Sequence, residues 1–87
     1  MLYKIYTENK NYDTIMSILH VHLGPKAGFT VVRTEGHYGG KIEHGLVIDV
    51  VYHDMCAIQS AAYDIKKTNK QESVLVVAVP CEAKFVR

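Results

Sequence analysis

At 87 residues the chain has room for one domain, spanning residues 1–87, and one modest hydrophobic core. Hydrophobic residues make up 48% and charged residues 22%, with ten Lys and Arg against nine Asp and Glu, for a formal net charge of +1. That balance excludes a disordered tail and a membrane-embedded chain, and it leaves no large electrostatic footprint for duplex nucleic acid. The opening Met1–Tyr6 is too short and too interrupted for the apolar region of a signal peptide. No apolar run approaches the roughly 18 residues of a membrane span, so the expected location is the cytoplasm. Cys56 and Cys81 form no CxxC pair and cannot make a disulfide framework, so they read as small buried apolar residues.

The first extended segment runs from Leu2 to Thr7, with Tyr3 and Ile5 on one face and Lys4 and Tyr6 on the other. Asn11 is placed to cap a following helix, with Asp13 in its first turn. Tyr12, Ile15, Met16, Leu19, His22 and Leu23 recur at helical spacing until Gly24-Pro25 stops the pattern. Phe29–Arg33 reads as a second strand and Leu46–Tyr52 as a third. Between them, residues 34–45 hold four glycines and several charges, which predicts a loop or a flexible hairpin tip. Asp54 caps a second helix with the stripe Met55, Ile58, Ala61, Ala62 and Ile65, ending among Lys66, Lys67 and Lys70. Glu72–Val79 reads as the last strand, closed by Pro80.

The order strand, helix, strand, strand, helix, strand is the split pattern of an α+β, ferredoxin-like βαββαβ fold. It predicts a four-stranded antiparallel sheet with two helices on one face. The other face should then be polar, yet Val47 and Val51 fall on it, and Val74–Val79 is apolar on both sides. A bare patch of that kind needs a cover, and another copy of the same chain is the simplest one.

Gly39-Gly40-Lys41-Ile42-Glu43 resembles the signature at the hairpin tip of CutA proteins, and Val77–Glu82 resembles that family's last core strand. The likeness covers about residues 28–82. It implies a small member of the CutA/PII-like group, whose proteins assemble as trimers with their sheets inward. In PII-like relatives small ligands, often nucleotides, bind in clefts between subunits beneath the loop joining the second and third strands. CutA tips carry tryptophan, whereas His37 and Tyr38 stand here, and the chain is shorter than usual for either family.

The expected ligand site is therefore this loop: Arg33, Gly36, His37, Tyr38, Gly39, Gly40, Lys41 and Glu43. The glycines allow close backbone approach, Arg33 and Lys41 could neutralise phosphate, and Tyr38 or His37 could stack on a base. A hairpin whose glycines serve only turn geometry is the plainer alternative. His20 and His22 are two apart on a helix and cannot jointly chelate, while His37 and His44 could meet across the hairpin. Glu35 and Glu43 could face each other there, and Cys56 has no evident His partner. No nucleophile motif surrounds Ser17, Ser60 or Ser73. The function expected is thus a non-enzymatic, cytoplasmic, homo-oligomeric (trimeric) binder of a nucleotide or other phosphorylated signal in clefts between subunits, with no cofactor. It would relay a signal or sequester the ligand, as compact phage-encoded sponges do. The alternative is a CutA-like trimer that binds divalent metal or is structural.

Overall fold

The alternation of buried and outward residues seen in the sequence becomes six elements: β1 (Leu2–Glu8), α1 (Tyr12–Leu23), β2 (Phe29–Tyr38), β3 (Lys41–Val51), α2 (Met55–Asn69) and β4 (Leu75–Val79). The computed structural model describes residues 1–25, 27–51, 54–84 and 86. Tyr52, expected to end the third strand, lies outside the described residues. The strands make one antiparallel sheet in the order β2-β3-β1-β4, the ferredoxin-like arrangement. No helix is long and apolar enough to cross a membrane among the described residues.

The core lies between the two helices and one face of the sheet. Tyr3 and Ile5 of β1 and Leu46, Ile48 and Val50 of β3 point into it, against Ile15, Leu19 and Leu23 of α1 and Ile58, Ala61, Ala62 and Ile65 of α2. Ile5 stands directly opposite Ile48, and both are fully buried. Two residues of the expected helical stripes sit at its margin: Tyr12 and Met55 are each more than a third exposed. Both belong to first turns, where the helix has not yet closed over the sheet.

Helix ends follow two different mechanisms. Asp54 caps α2 as expected, its side chain accepting from the N–H groups of Cys56 at 3.0 Å and Ala57 at 3.4 Å. Asn11 does not cap α1 with its side chain. It adopts a left-handed conformation (φ 53°) and turns its amide to Thr68 O and Asn69 Oδ1, both at 3.3 Å. Gly24, at φ 75°, ends α1 as predicted, its N–H donating to His20 O.

The side chain of Asn69, 4% exposed at the end of α2, ties three elements together. Its amide donates to Thr7 Oγ1 at 3.1 Å, Glu8 O at 3.3 Å and Gln71 Oε1 at 3.0 Å, while Thr7 Oγ1 donates to Gln71 Oε1 at 2.6 Å. This network occupies Gln71–Ser73, so β4 begins at Leu75, three residues later than the hydropathy pattern predicts. Both cysteines are exposed, contrary to expectation: Cys56 lies on the outward side of the first turn of α2, and Cys81 lies beyond β4. Removing the Asn69 amide strands buried polar groups, each worth about 1–3 kcal/mol. Asn69→Ala is therefore expected to lower unfolding stability by about that amount, read as a lower urea midpoint with an unchanged slope.

Candidate functional site: the hairpin arm, the open sheet face and the interhelical cleft

Of the two forms expected for residues 34–45, a loop or a hairpin tip, the structure has the hairpin. The β2–β3 ladder continues through Thr34↔Gly45, Glu35↔His44, Gly36↔Glu43, His37↔Ile42 and Tyr38↔Lys41. Only Gly39 and Gly40, at φ +57° and +76°, make the turn, a two-residue hairpin that requires positive φ at both positions. Gly45 is needed for a different reason: a Cβ there would lie 2.9 Å from the Thr7 carbonyl oxygen, where β3 crosses close to β1. From Glu35 to His44 every side chain is exposed, so the arm projects beyond the core and the molecule measures 44 × 24 × 20 Å.

Strand geometry sorts the expected site residues onto two faces. Arg33, Glu35, His37, Ile42 and His44 share the side that carries the helices; Gly36, Tyr38, Lys41 and Glu43 share the other. Glu35 and Glu43 consequently do not face each other, since Glu35 opposes His44 and Glu43 opposes Gly36. Glu35 instead bonds His37 Nε2 at 3.2 Å along its own strand. Arg33 lies at the root of the arm, its guanidinium 5.5 Å from the centre of the Tyr12 ring. Tyr38 lies five positions further along the strand, about 17 Å away, so one chain's Arg33 and Lys41 cannot grip the same phosphate. Tyr38 and Lys41, by contrast, are direct ladder partners beside the turn, and Tyr38 is 81% exposed.

The sheet face away from the helices is apolar, as the double-sided strands imply. Leu2, Val51 and Val79 form one row across it, and Leu75, Tyr6, Val47 and Val32 another. Between them lies an ion pair, Lys4 Nζ to Asp49 Oδ1 at 3.0 Å. The hydrogen bond that Lys4 donates to Asp49 holds its ammonium above the ordinary value of 10.5. Its stabilisation is thus complete below that value and lost only as pH rises beyond it.

A cleft of about 660 Å³ opens between the helices, lined by His22, Cys56, Gln59, Ser60, Tyr63 and Asp64. His22 Nε2–H donates to Asp64 Oδ2 at 2.6 Å, since a carboxylate can only accept. Cys56 thus shares a cleft with His22. The signal available in sequence was the spacing of Cys56, Ser60 and Asp64, one helical stripe at i, i+4 and i+8. His20 goes elsewhere, packing edge-on to Phe29 with ring centres 5.1 Å apart. Among the described residues no group of three or more His, Cys, Asp or Glu comes together that could hold a metal ion.

No family model and no curated protein matches this chain. Solved structures do match in fold. A DUF3240 family protein from Shewanella baltica superposes with a TM-score of 0.71 at 13% identity, covering 99% of this chain and 93% of its own. CutA from Archaeoglobus fulgidus, named a periplasmic divalent cation tolerance protein, gives 0.56 at 18%, covering 98% and 88%. The GlnK–ATP complex of B. subtilis gives 0.52 at 19%, covering 91% and 83%. A phage SAM lyase in complex with S-methyl-5'-thioadenosine gives 0.59 at 16%, covering 86% and 76%. This last structure corrects the expectation that the protein is not an enzyme: a lyase is built on the same fold, so the fold gives no ground for excluding catalysis. The resemblance to CutA and PII-like proteins holds at the level of architecture, and the chain is a distant structural relative of theirs.

Proposed function

We propose that the chain is a self-assembling protein that binds a small nucleotide-like ligand in clefts between its copies. The observation that carries this reading is the pairing of an apolar open sheet face with a projecting arm that has no core of its own. The face supplies the surface for self-assembly, most simply as the trimer that the resemblance implies. The arm then forms one wall of the cleft at each border. Tyr38 offers a flat face for a base and Lys41 a cation for an anionic group, beside the positive-φ backbone of Gly39-Gly40. Gly36 and Glu43 line the same side of the arm, and Arg33 with His37 faces the opposite border. Support for the ligand class comes from two proteins of the same fold that hold adenosine derivatives, S-methyl-5'-thioadenosine in the lyase and ATP in GlnK. Whether the ligand is held unchanged or chemically converted is read by the same experiment.

That experiment is a thermal-shift panel of ATP, cyclic nucleotides, S-methyl-5'-thioadenosine and divalent cations, followed by mass spectrometry of each mixture for product. A nucleoside or nucleotide is expected to raise the melting temperature by mass action. A shift confined to divalent cations overturns the reading in favour of metal binding. For the nucleotide identified, Lys41→Ala and Tyr38→Ala are each expected to weaken binding about ten- to a hundredfold by calorimetry, and Tyr38→Phe hardly at all. Equal binding by all three variants removes the arm from the site.

Assembly is tested separately. Val47 lies on the open face between Tyr6 and Val32, so Val47→Lys places an unpaired charge at its centre. Sedimentation is expected to show the wild type as an oligomer at micromolar concentration and the variant as a monomer. A monomeric wild type refutes the assembly.

A further inference from the structure

The middle row of the open sheet face reads Val77, Lys4, Asp49, Thr30 across the four strands. The rows on either side carry no charge: Val79, Leu2 and Val51 on one, Leu75, Tyr6, Val47 and Val32 on the other. A single cation and a single anion thus sit side by side on the two central strands, ringed by apolar groups. The ammonium of Lys4 has three N–H donors, and the bond to Asp49 Oδ1 uses one. Asp49 Oδ2 has no hydrogen-bond partner among the described residues. With both side chains about 30% exposed, water serves these remaining groups in the single chain.

Covering the face removes that water. A desolvated ion pair is tolerable only when its leftover donors and acceptors find new partners. A nucleic acid or an anionic lipid surface would meet no excess of positive charge here, and a purely apolar partner would leave both ions unsatisfied. A second copy of this chain supplies an anion for the free ammonium donors and a cation for the free carboxylate oxygen, at matching spacing. We propose that when copies meet through this face, Lys4 of each one pairs with Asp49 of the partner subunit, so that the pair within a chain becomes an alternating charge network between chains that sets their mutual orientation. The inference rests on the self-assembly proposed above and names the two residues that give it specificity.

Charge reversal separates the possibilities. Lys4→Glu gives a face with two anions and Asp49→Lys a face with two cations. Each alone is expected to weaken association about a hundredfold, moving the sedimentation boundary to monomer at concentrations where the wild type is oligomeric. Mixing the two in equal amounts is expected to restore a larger species, because opposite charges then meet between chains. The double variant Lys4→Glu/Asp49→Lys, which regenerates both kinds of pair, is expected to assemble alone. Circular dichroism first establishes that each variant is folded; if a single variant is not, Lys4→Gln and Asp49→Asn, which keep shape and remove one charge, take its place and are expected to show a loss that mixing reverses in part, because one Lys4–Asp49 pair then forms between chains. Assembly of the double variant with no rescue in the mixture overturns the proposal, since the pair then acts only within a chain. Single variants that associate like wild type overturn it too. Either result leaves self-assembly standing, whereas a monomeric wild type removes the assembly itself.

Discussion

The register of β1 against β3 is the constraint on which the rest of the molecule depends. Setting Ile5 opposite Ile48 commits Tyr3, Leu46 and Val50 to the helices. The period of two then obliges Lys4, Tyr6, Val47, Asp49 and Val51 to take the other side. A slip of β1 by one residue would turn Lys4 into the core and Ile5 out of it, and would part Lys4 from Asp49. Core and open face are therefore one decision, and the substantial burial of each isoleucine, about 1.5–3 kcal/mol, holds the outward face in place without any contact on that face.

The same register governs where the arm leaves the body. Gly45 meets Glu8 across the ladder and passes so near the Thr7 carbonyl that no side chain fits. One residue on, the Asn9 N–H donates to His44 O at 3.2 Å, the last backbone bond between arm and body. Beyond it the hairpin depends on its own ladder and on the Arg33–Tyr12 contact at its root. Thr7, Asn69 and Gln71 lock the neighbouring corner, so a rigid base carries an arm made almost wholly of backbone pairing.

Most of the architecture was legible in the sequence because burial writes a period. Ile15, Leu19 and Leu23 mark one helix and Ile58, Ala61, Ala62 and Ile65 the other; Leu46, Ile48 and Val50 mark a strand with a core beneath it. The arm was only half legible, as a loop or a hairpin tip, because it buries nothing. Glu35, His37, Ile42 and His44 share a face without an apolar alternation to reveal it, and four glycines dilute the strand signal. The adjacent Gly39-Gly40 was the usable clue, since a pair of glycines suits a two-residue hairpin better than a long loop. The side chain of Asn11 escaped prediction because its partners, Thr68 and Asn69, are 57 and 58 residues away. Likewise His22 and Asp64, 42 residues apart, meet only when the helices pack.

The two-residue turn at the tip gives the arm a rule of growth. Insertions at Gly39-Gly40 touch nothing in the body, so chain length is free to vary there. An added residue on each strand, however, exchanges the faces of everything beyond it, turning Tyr38 and Lys41 from one face of the arm to the other. Two added residues per strand restore the original facing and extend the reach by about 7 Å. Related chains of different arm length can thus keep the same chemistry at the tip only by lengthening in even steps, and an odd step presents that chemistry on the opposite face of the arm.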